Sequence, residues 1–353
     1  MAEPRVAVVD DPSFDLHRSA RRHPECPERL DAARAGLRAA LPADRWERVA
    51  VRNIEAAELA GVHRAGHLDA LDLAIGEHRF VDLDVDTFAG PGTRDAMRRA
   101  AGGAAEFGAA LMAPDGPRRG FALLRPPGHH AERDRAMGFC LLNNVAIAAR
   151  SAQRAGATRV AIVDWDVHHG NGTQDVFERD PNVLFISMHQ WPLYPGTGAP
   201  GEVGIGAGLG STANLALPPG SGPAEYAHAM RRVVRPLLDA FGPDLVLVSA
   251  GYDAHARDPL ASMRLDDASY QAMASSLIAG ADRLGHGRVG FVLEGGYDLS
   301  ALESSVAATA RAALGETMET SHERAAAAAV AAVEHTAHAL APHWPGLFDP
   351  ERL

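Results

Sequence analysis

The chain has 353 residues, 46% of them apolar, with 45 acidic against 34 basic side chains and a formal net charge of −11. No basic run or stripe offsets that acidity, which argues against nucleic acid as a direct ligand, and no uncharged apolar stretch approaches the length of a membrane span. Cys26 and Cys140 make no disulfide framework and no signal-peptide pattern precedes the first apolar run, so the chain reads as soluble and cytoplasmic. Every basic residue is an arginine, which excludes Schiff-base chemistry, a lysine general base and a P-loop.

In chain order, apolar residues 6–9 predict a first strand and 27–40 a helix. A long helix over 93–112 leads to a strand at 120–124, whose end carries R-P-P-G-H-H-A at 125–131. A helix over 140–154 precedes the strand 160–163, and D-W-D-V-H-H-G-N-G follows at 164–172. After a strand at 183–187, the Gly/Pro-rich stretch 191–223 reads as one long loop. The helix over 223–241 is the clearest, because Tyr226, Met230, Val233, Val234, Leu237, Leu238 and Phe241 share one face. Strands at 245–249 and 289–293 alternate with helices at 269–284 and 300–313 and end at A-G-Y-D-A-H and E-G-G-Y. Continuously apolar strands alternating with helices predict a mostly parallel sheet covered on both faces, a three-layer αβα arrangement. With no linker or repeat, residues 1–353 read as one domain ending in a peripheral alanine-rich helix and tail from about 322 to 353.

Four strands thus end at chemically loaded residues, and ligand sites of open parallel sheets lie beyond such ends. Two carboxylates and two imidazoles directly after a buried strand are costly unless paired, and a metal ion is the simplest partner; a hydrogen-bonded cluster without metal is the alternative. In extended backbone Asp164, Asp166 and His168 point to one side, with Trp165 and Val167 facing away into packing. Asp253, at a neighbouring strand end, is the natural third ligand. Asp166, His168 and Asp253 would leave positions open for water and substrate, as a hydrolytic site requires. Such oxygen and nitrogen ligands suit zinc, and equally ferrous iron, cobalt or manganese.

These segments together resemble the histone deacetylase superfamily, and D-W-D-V-H-H-G-N-G-T with Asn171 is most similar to its class II branch and bacterial relatives. The matches are R-P-P-G-H-H-A (125–131), G-F-C (138–140), D-W-D-V-H-H-G-N-G-T (164–173), Y-D-A-H (252–255), D-P-L (258–260) and L-E-G-G-Y (293–297), with H-P-E-C-P-E-R-L (23–30) resembling the family's first active-site loop. The resemblance implies an arginase-like fold and a metal-dependent amidohydrolase acting on an acetylated lysine in a protein or peptide, or on a small acetylated amine. It implies one Zn2+ (or Fe2+ or Co2+) held by Asp166, His168 and Asp253. His130 would be general base and then acid, beside Asn171. His129 would be its partner, bonded to Asp164, and Tyr297 would be the oxyanion donor. The substrate tunnel would be lined by Gly138, Phe139, Tyr194 (where the family usually has Phe), Leu260, Gly295 and Gly296, with Asp86 at the rim. Leu260 falls where polyamine-selective relatives carry glutamate, which favours neutral acyl chains. A structural K+ would sit among Asp164, Asp166, His168, Ser187 and Met188, with a second cation near Phe177, Asp180 and Val183. An oligomer is compatible with the sequence. The rival readings are a di-manganese ureohydrolase, for which Gly170 lacks the needed carboxylate, an acetylpolyamine amidohydrolase, and a non-catalytic acyl-lysine-binding scaffold.

Overall fold

The computed structural model describes residues 5–76 and 79–349, so residues 350–353 of the expected tail lie outside the described part. Its strands are β1 (Val6–Val9), β2 (Trp46–Arg48), β3 (Val81–Asp82), β4 (Phe88–Ala89), β5 (Arg119–Ala122), β6 (Val160–Asp164), β7 (Val183–Gln190), β8 (Thr212–Leu217), β9 (Leu245–Ala250) and β10 (Val289–Leu293). Its helices are α1 (Glu28–Ala40), α2 (His67–Ile75), α3 (Thr93–Met112), α4 (Asn144–Arg154), α5 (Asn171–Phe177), α6 (Pro223–Ala229), α7 (Arg235–Phe241), α8 (Asp267–Arg283), α9 (Leu299–Ala313) and α10 (Ala327–Leu340).

Eight strands form one sheet in the order β2-β1-β5-β10-β9-β6-β7-β8, with each neighbouring pair parallel. β3 and β4 make a separate antiparallel pair. The central strands are apolar along their whole length and buried at every position, as β6 (V-A-I-V-D) and β9 (L-V-L-V-S-A) illustrate. That pattern requires cover on both faces. α3 packs on α4, whereas α9 packs against both α1 and α8, giving the expected three-layer αβα fold. Helix starts are set by side-chain caps: Asn143, Asp266 and Asp298 each accept a backbone N–H from the first turn. The Asn143 cap starts α4 at residue 144, four later than periodicity predicts.

Two further expectations need correction. The 223–241 helix is two α-helical segments joined by a π turn over Met230–Val234. Pro236 has no N–H to give, and the Arg235 N–H instead reaches Met230 O. Its predicted apolar face is nonetheless buried throughout. The 191–223 stretch is not one loop, because β8 lies within it and pairs with β7. Its T-A-N-L-A-L run is obscured by flanking glycines and prolines. α10 covers this edge through buried Val333, Ala337 and Leu340, and Thr336 Oγ1 donates to Asn214 O at 2.5 Å. β2, three partly exposed residues at the other edge, carries too short a pattern to read. Among the described residues no helix is long and apolar enough to cross a membrane.

The sheet order has one consequence that the linear sequence does not give. β5, β10, β9 and β6, the four strands with loaded carboxyl ends, are consecutive neighbours at the centre of the sheet. Parallel pairing places all four ends on one edge, so four segments far apart in sequence meet in one cleft.

Candidate active site

β6 ends at Asp164, and the next residues leave the pleat. Asp164 Oδ1 accepts Asp166 N at 3.1 Å and Asp166 Oδ1 accepts His168 N at 3.0 Å. Two successive turns closed by aspartate side chains therefore coil the segment. Convergence of Asp164, Asp166 and His168 comes from this coil rather than from extended parity, which corrects the sequence argument. Trp165 does face away, fully buried with its ring 5.8 Å from Phe291 and 6.1 Å from Tyr270.

Asp253 arrives from the end of β9. Its Oδ1 accepts Val167 N at 2.8 Å, and Asp166 Oδ2 accepts Gly295 N at 2.8 Å, which ties three strand ends together. His168 Nδ1 lies 3.2 Å from both Asp166 Oδ1 and Asp253 Oδ2. One ligand atom from each of the three residues falls within 4.8 Å of the others, and Asp253 Oδ2 is buried with no hydrogen-bond donor. Three strong electron-pair donors facing a common point fit one divalent cation. Both Asp253 Oδ2 and Asp166 Oδ2 lie where a Cβ at Gly295 would project. Gly295→Ala should therefore lower metal affinity by about 10–100-fold, the range seen when support around a metal site is disturbed. Metal content after dialysis against buffered zinc, with the melting temperature measured in parallel, checks this.

The two histidines after β5 are bound differently. His129 Nδ1 donates to Asp164 Oδ2 at 3.0 Å, whereas His130 Nδ1 donates to Asn171 Oδ1 at 2.7 Å. Burial alone would push His129 down, but the carboxylates of Asp166 and Asp164 outweigh it and lift it to about 10. His130 is held well below its usual range by burial and by the neighbouring His129 and His168. The pair is thus one imidazolium beside one neutral imidazole, ring centroids 4.0 Å apart.

Tyr297 follows β10. Its N–H donates to Asp258 Oδ2 at 2.7 Å, and the Arg29 guanidinium lies 4.9 Å from its ring centre. Burial raises its hydroxyl well above the ordinary phenol value, so it stays a donor. The Phe139 ring stands nearly perpendicular to Tyr297 at 5.9 Å, and Tyr194 meets His130 edge-on at 5.1 Å. Gly138 has φ +57°, and a Cβ there would strike the His130 ring. Gly296 has φ +115°, and its carbonyl accepts Arg29 Nε at 2.6 Å. Thr87 Oγ1 accepts Phe139 N and donates to Asp86 Oδ1, each at 3.1 Å, which brings Asp86 to the wall at Phe139. Leu260 is half-buried, and its N–H donates to Asp258 Oδ1 at 2.9 Å. Asp164 pairs with Ser187 across β6 and β7, and Ser187 Oγ lies 2.9 Å from His189 Nδ1. At Phe177, Asp180 and Val183 the Phe177 and Asp180 carbonyls accept Asp180 N and Val183 N, closing a tight turn.

Some supporting residues escape a reading of the sequence. Glu294 Oε2 accepts both Gly128 N (2.7 Å) and His129 N (3.1 Å), which fixes the histidine loop to the end of β10. Buried Arg29 donates to the carbonyls of Glu294 and Gly296, and Asp258 holds Leu260 and Tyr297 through its two oxygens. Glu132 accepts Asn171 Nδ2 at 2.8 Å. The first three lie inside the motifs already noted, where a charged residue next to a buried strand end was the available signal.

A histone deacetylase domain match covers residues 23–313. The chain is 41% identical over 320 residues to histone deacetylase 14, chloroplastic, of Arabidopsis thaliana, spanning 86% of this chain and 76% of that protein. It is 38% identical over 303 residues to a probable deacetylase of Archaeoglobus fulgidus, spanning 83% and 82% respectively. The crystal structure of the HDA15 HD domain matches with a TM-score of 0.89 at 39% identity, covering 98% of this chain and 96% of that one. The class is an α/β protein of arginase/deacetylase fold. Within it, this chain belongs to the histone deacetylase family.

Proposed function

We propose that the chain is a metal-dependent amidohydrolase that removes acetyl or other short acyl groups from acylated amines, with acyl-lysine side chains as its substrate class. The observation that carries this reading is the joint arrangement at the four strand ends. A three-residue donor set lies beside a His pair whose Nδ1 atoms are bound to a carboxylate and to an amide, with a protonated phenol nearby. Asp166, His168 and Asp253 would hold one divalent ion, zinc by family analogy, with ferrous iron or cobalt as alternatives. Such an ion supplies Lewis acidity toward an amide carbonyl and makes water more acidic.

The protein's own groups do the remaining work. With Nδ1 donating to Asn171, His130 has its lone pair on Nε2, where it accepts the proton of the attacking water and later returns it to the leaving amine. His129, held as an imidazolium by Asp164, adds positive charge beside the developing oxyanion. Tyr297 donates its hydroxyl to the carbonyl oxygen as charge accumulates there. Phe139 and Tyr194 would flank the acyl chain between apolar faces, with Gly138, Gly295 and Gly296 allowing close backbone approach. Leu260 offers no charge to a cationic amine, which favours the neutral lysine chain over polyamines. A potassium ion beside Asp164, Asp166, His168, Ser187 and Met188 would partner the surplus carboxylate.

Turnover of an acetyl-lysine peptide beside N-acetylputrescine tests the reading, since a scaffold hydrolyses neither and a polyamine enzyme prefers the second. Metal analysis of active protein should give about one divalent equivalent per chain, and chelation should abolish turnover until metal is restored. Two equivalents would instead favour ureohydrolase-type chemistry.

A further inference from the structure

An asparagine amide has nearly the same shape in either orientation, so the Asn171–His130 contact does not by itself choose one. With Oδ1 toward the ring, Nδ1 of His130 carries the proton and Nε2 keeps the lone pair. With Nδ2 toward the ring, Nδ1 accepts and the proton moves to Nε2, where the imidazole is useless as a base. The choice therefore needs a third group.

We propose that Glu132 is a positioning residue that fixes the Asn171 amide, and through it the tautomer of His130. Its Oε1 lies 2.8 Å from Asn171 Nδ2, and Met137 Sδ lies 3.3 Å from the same nitrogen. An ionised carboxylate and a thioether only accept hydrogen bonds. A flipped amide would set its carbonyl oxygen against the carboxylate at hydrogen-bond distance, which is repulsive. Glu132 is itself anchored: its carbonyl accepts His63 Nδ1 at 3.0 Å and its N–H donates to Arg135 O at 3.0 Å. Among the described residues no arginine or histidine forms an ion pair with it, so Asn171 is the polar partner of its carboxylate. Each histidine of the pair thus has its Nδ1 proton held by a carboxylate. Asp164 acts on His129 directly, and Glu132 acts on His130 through an inserted amide. That insertion keeps the negative charge one group away from the base.

This inference rests on the role given to His130 above. The test is Glu132→Gln in the metal-loaded protein, which preserves shape but removes the acceptor-only constraint, because a glutamine can flip together with Asn171. The expected result is a kcat lower by about tenfold or more, in the range found for residues supporting an active centre, with KM within about twofold. Nitrogen NMR of the His130 ring, assigned by comparison with His130→Ala, should change from the Nδ1–H form to a mixture. Unchanged kcat with the Nδ1–H form retained overturns the proposal. Asn171→Asp provides a second background in which no amide needs orienting. There Glu132→Gln should cost nothing, or should raise kcat by relieving carboxylate repulsion. An equal loss in both backgrounds means a merely structural role and also overturns it. If the wild type hydrolyses no acylated amine, the proposed function fails, while the ring tautomer still decides the case of Glu132.

Discussion

Replacing His130 with alanine should reduce kcat by about 10²–10⁴-fold, the contribution of a positioned general acid–base group, while the divalent ion stays bound. The two halves of this expectation have separate grounds. None of the donor atoms that meet at His168 comes from His130, so metal content should match the wild type. In the proposed mechanism proton transfer falls to the one imidazole of the pair that is neutral, because His129 is already charged beside Asp164. If Phe139 and Tyr194 flank the substrate as proposed, KM should change less than kcat. Single-turnover kinetics on an acetyl-lysine peptide, together with metal analysis of the same sample, separate these effects. A variant that keeps kcat within tenfold of the wild type places the base elsewhere. A variant that loses its metal makes His130 a structural support of the ion site instead.

The chemistry was more legible in the sequence than the geometry. Six strands and the layer arrangement followed from apolar runs, because strands buried on both faces need uninterrupted Val, Ile and Leu. The edge strands β2 and β8 did not, since an edge strand needs less apolar sequence and β8 is covered by a helix more than a hundred residues later. The motif aspartates and histidines could be named from their positions at strand ends. Their convergence could not be derived, because it depends on β5, β10, β9 and β6 being neighbours, and strand order is a tertiary property. The parity argument brought Asp164, Asp166 and His168 to one side by a wrong route, since side-chain-closed turns replace extended backbone after Asp164. Glu294, Arg29 and Glu132 were missed for a related reason. Each acts on backbone or on an amide across long sequence separations, which no local spacing records.

The site is also rigid for physical reasons that bear on its function. Both oxygens of Asp166 accept backbone amides, from His168 and Gly295, and Asp253 Oδ1 accepts that of Val167, so the two carboxylates are held in fixed orientations by the backbone. Glu294 does the same for the histidine loop through two N–H groups. Charged donors and acceptors fixed in a water-poor cleft need little reorganisation when charge moves, which is the condition for strong electrostatic stabilisation.

That condition makes Tyr297→Phe the sharpest test of the oxyanion assignment. The substitution removes one hydroxyl and keeps the ring that Arg29 and Phe139 pack against, so fold and metal content should be unaffected. Burial holds the phenol protonated far above neutral pH, so the wild-type group is a donor throughout the working range. Loss of one oxyanion donor costs about 10²–10³-fold in kcat. The loss should fall on kcat and kcat/KM together, because a bond that strengthens only as charge develops on the carbonyl oxygen contributes little to ground-state binding. A rise in KM with unchanged kcat would instead assign Tyr297 to substrate binding, and unchanged kinetics would remove it from the mechanism. The remaining activity should exceed that of His130→Ala, since a second positive group, the His129 imidazolium, still faces the developing charge while nothing substitutes for the lost proton carrier.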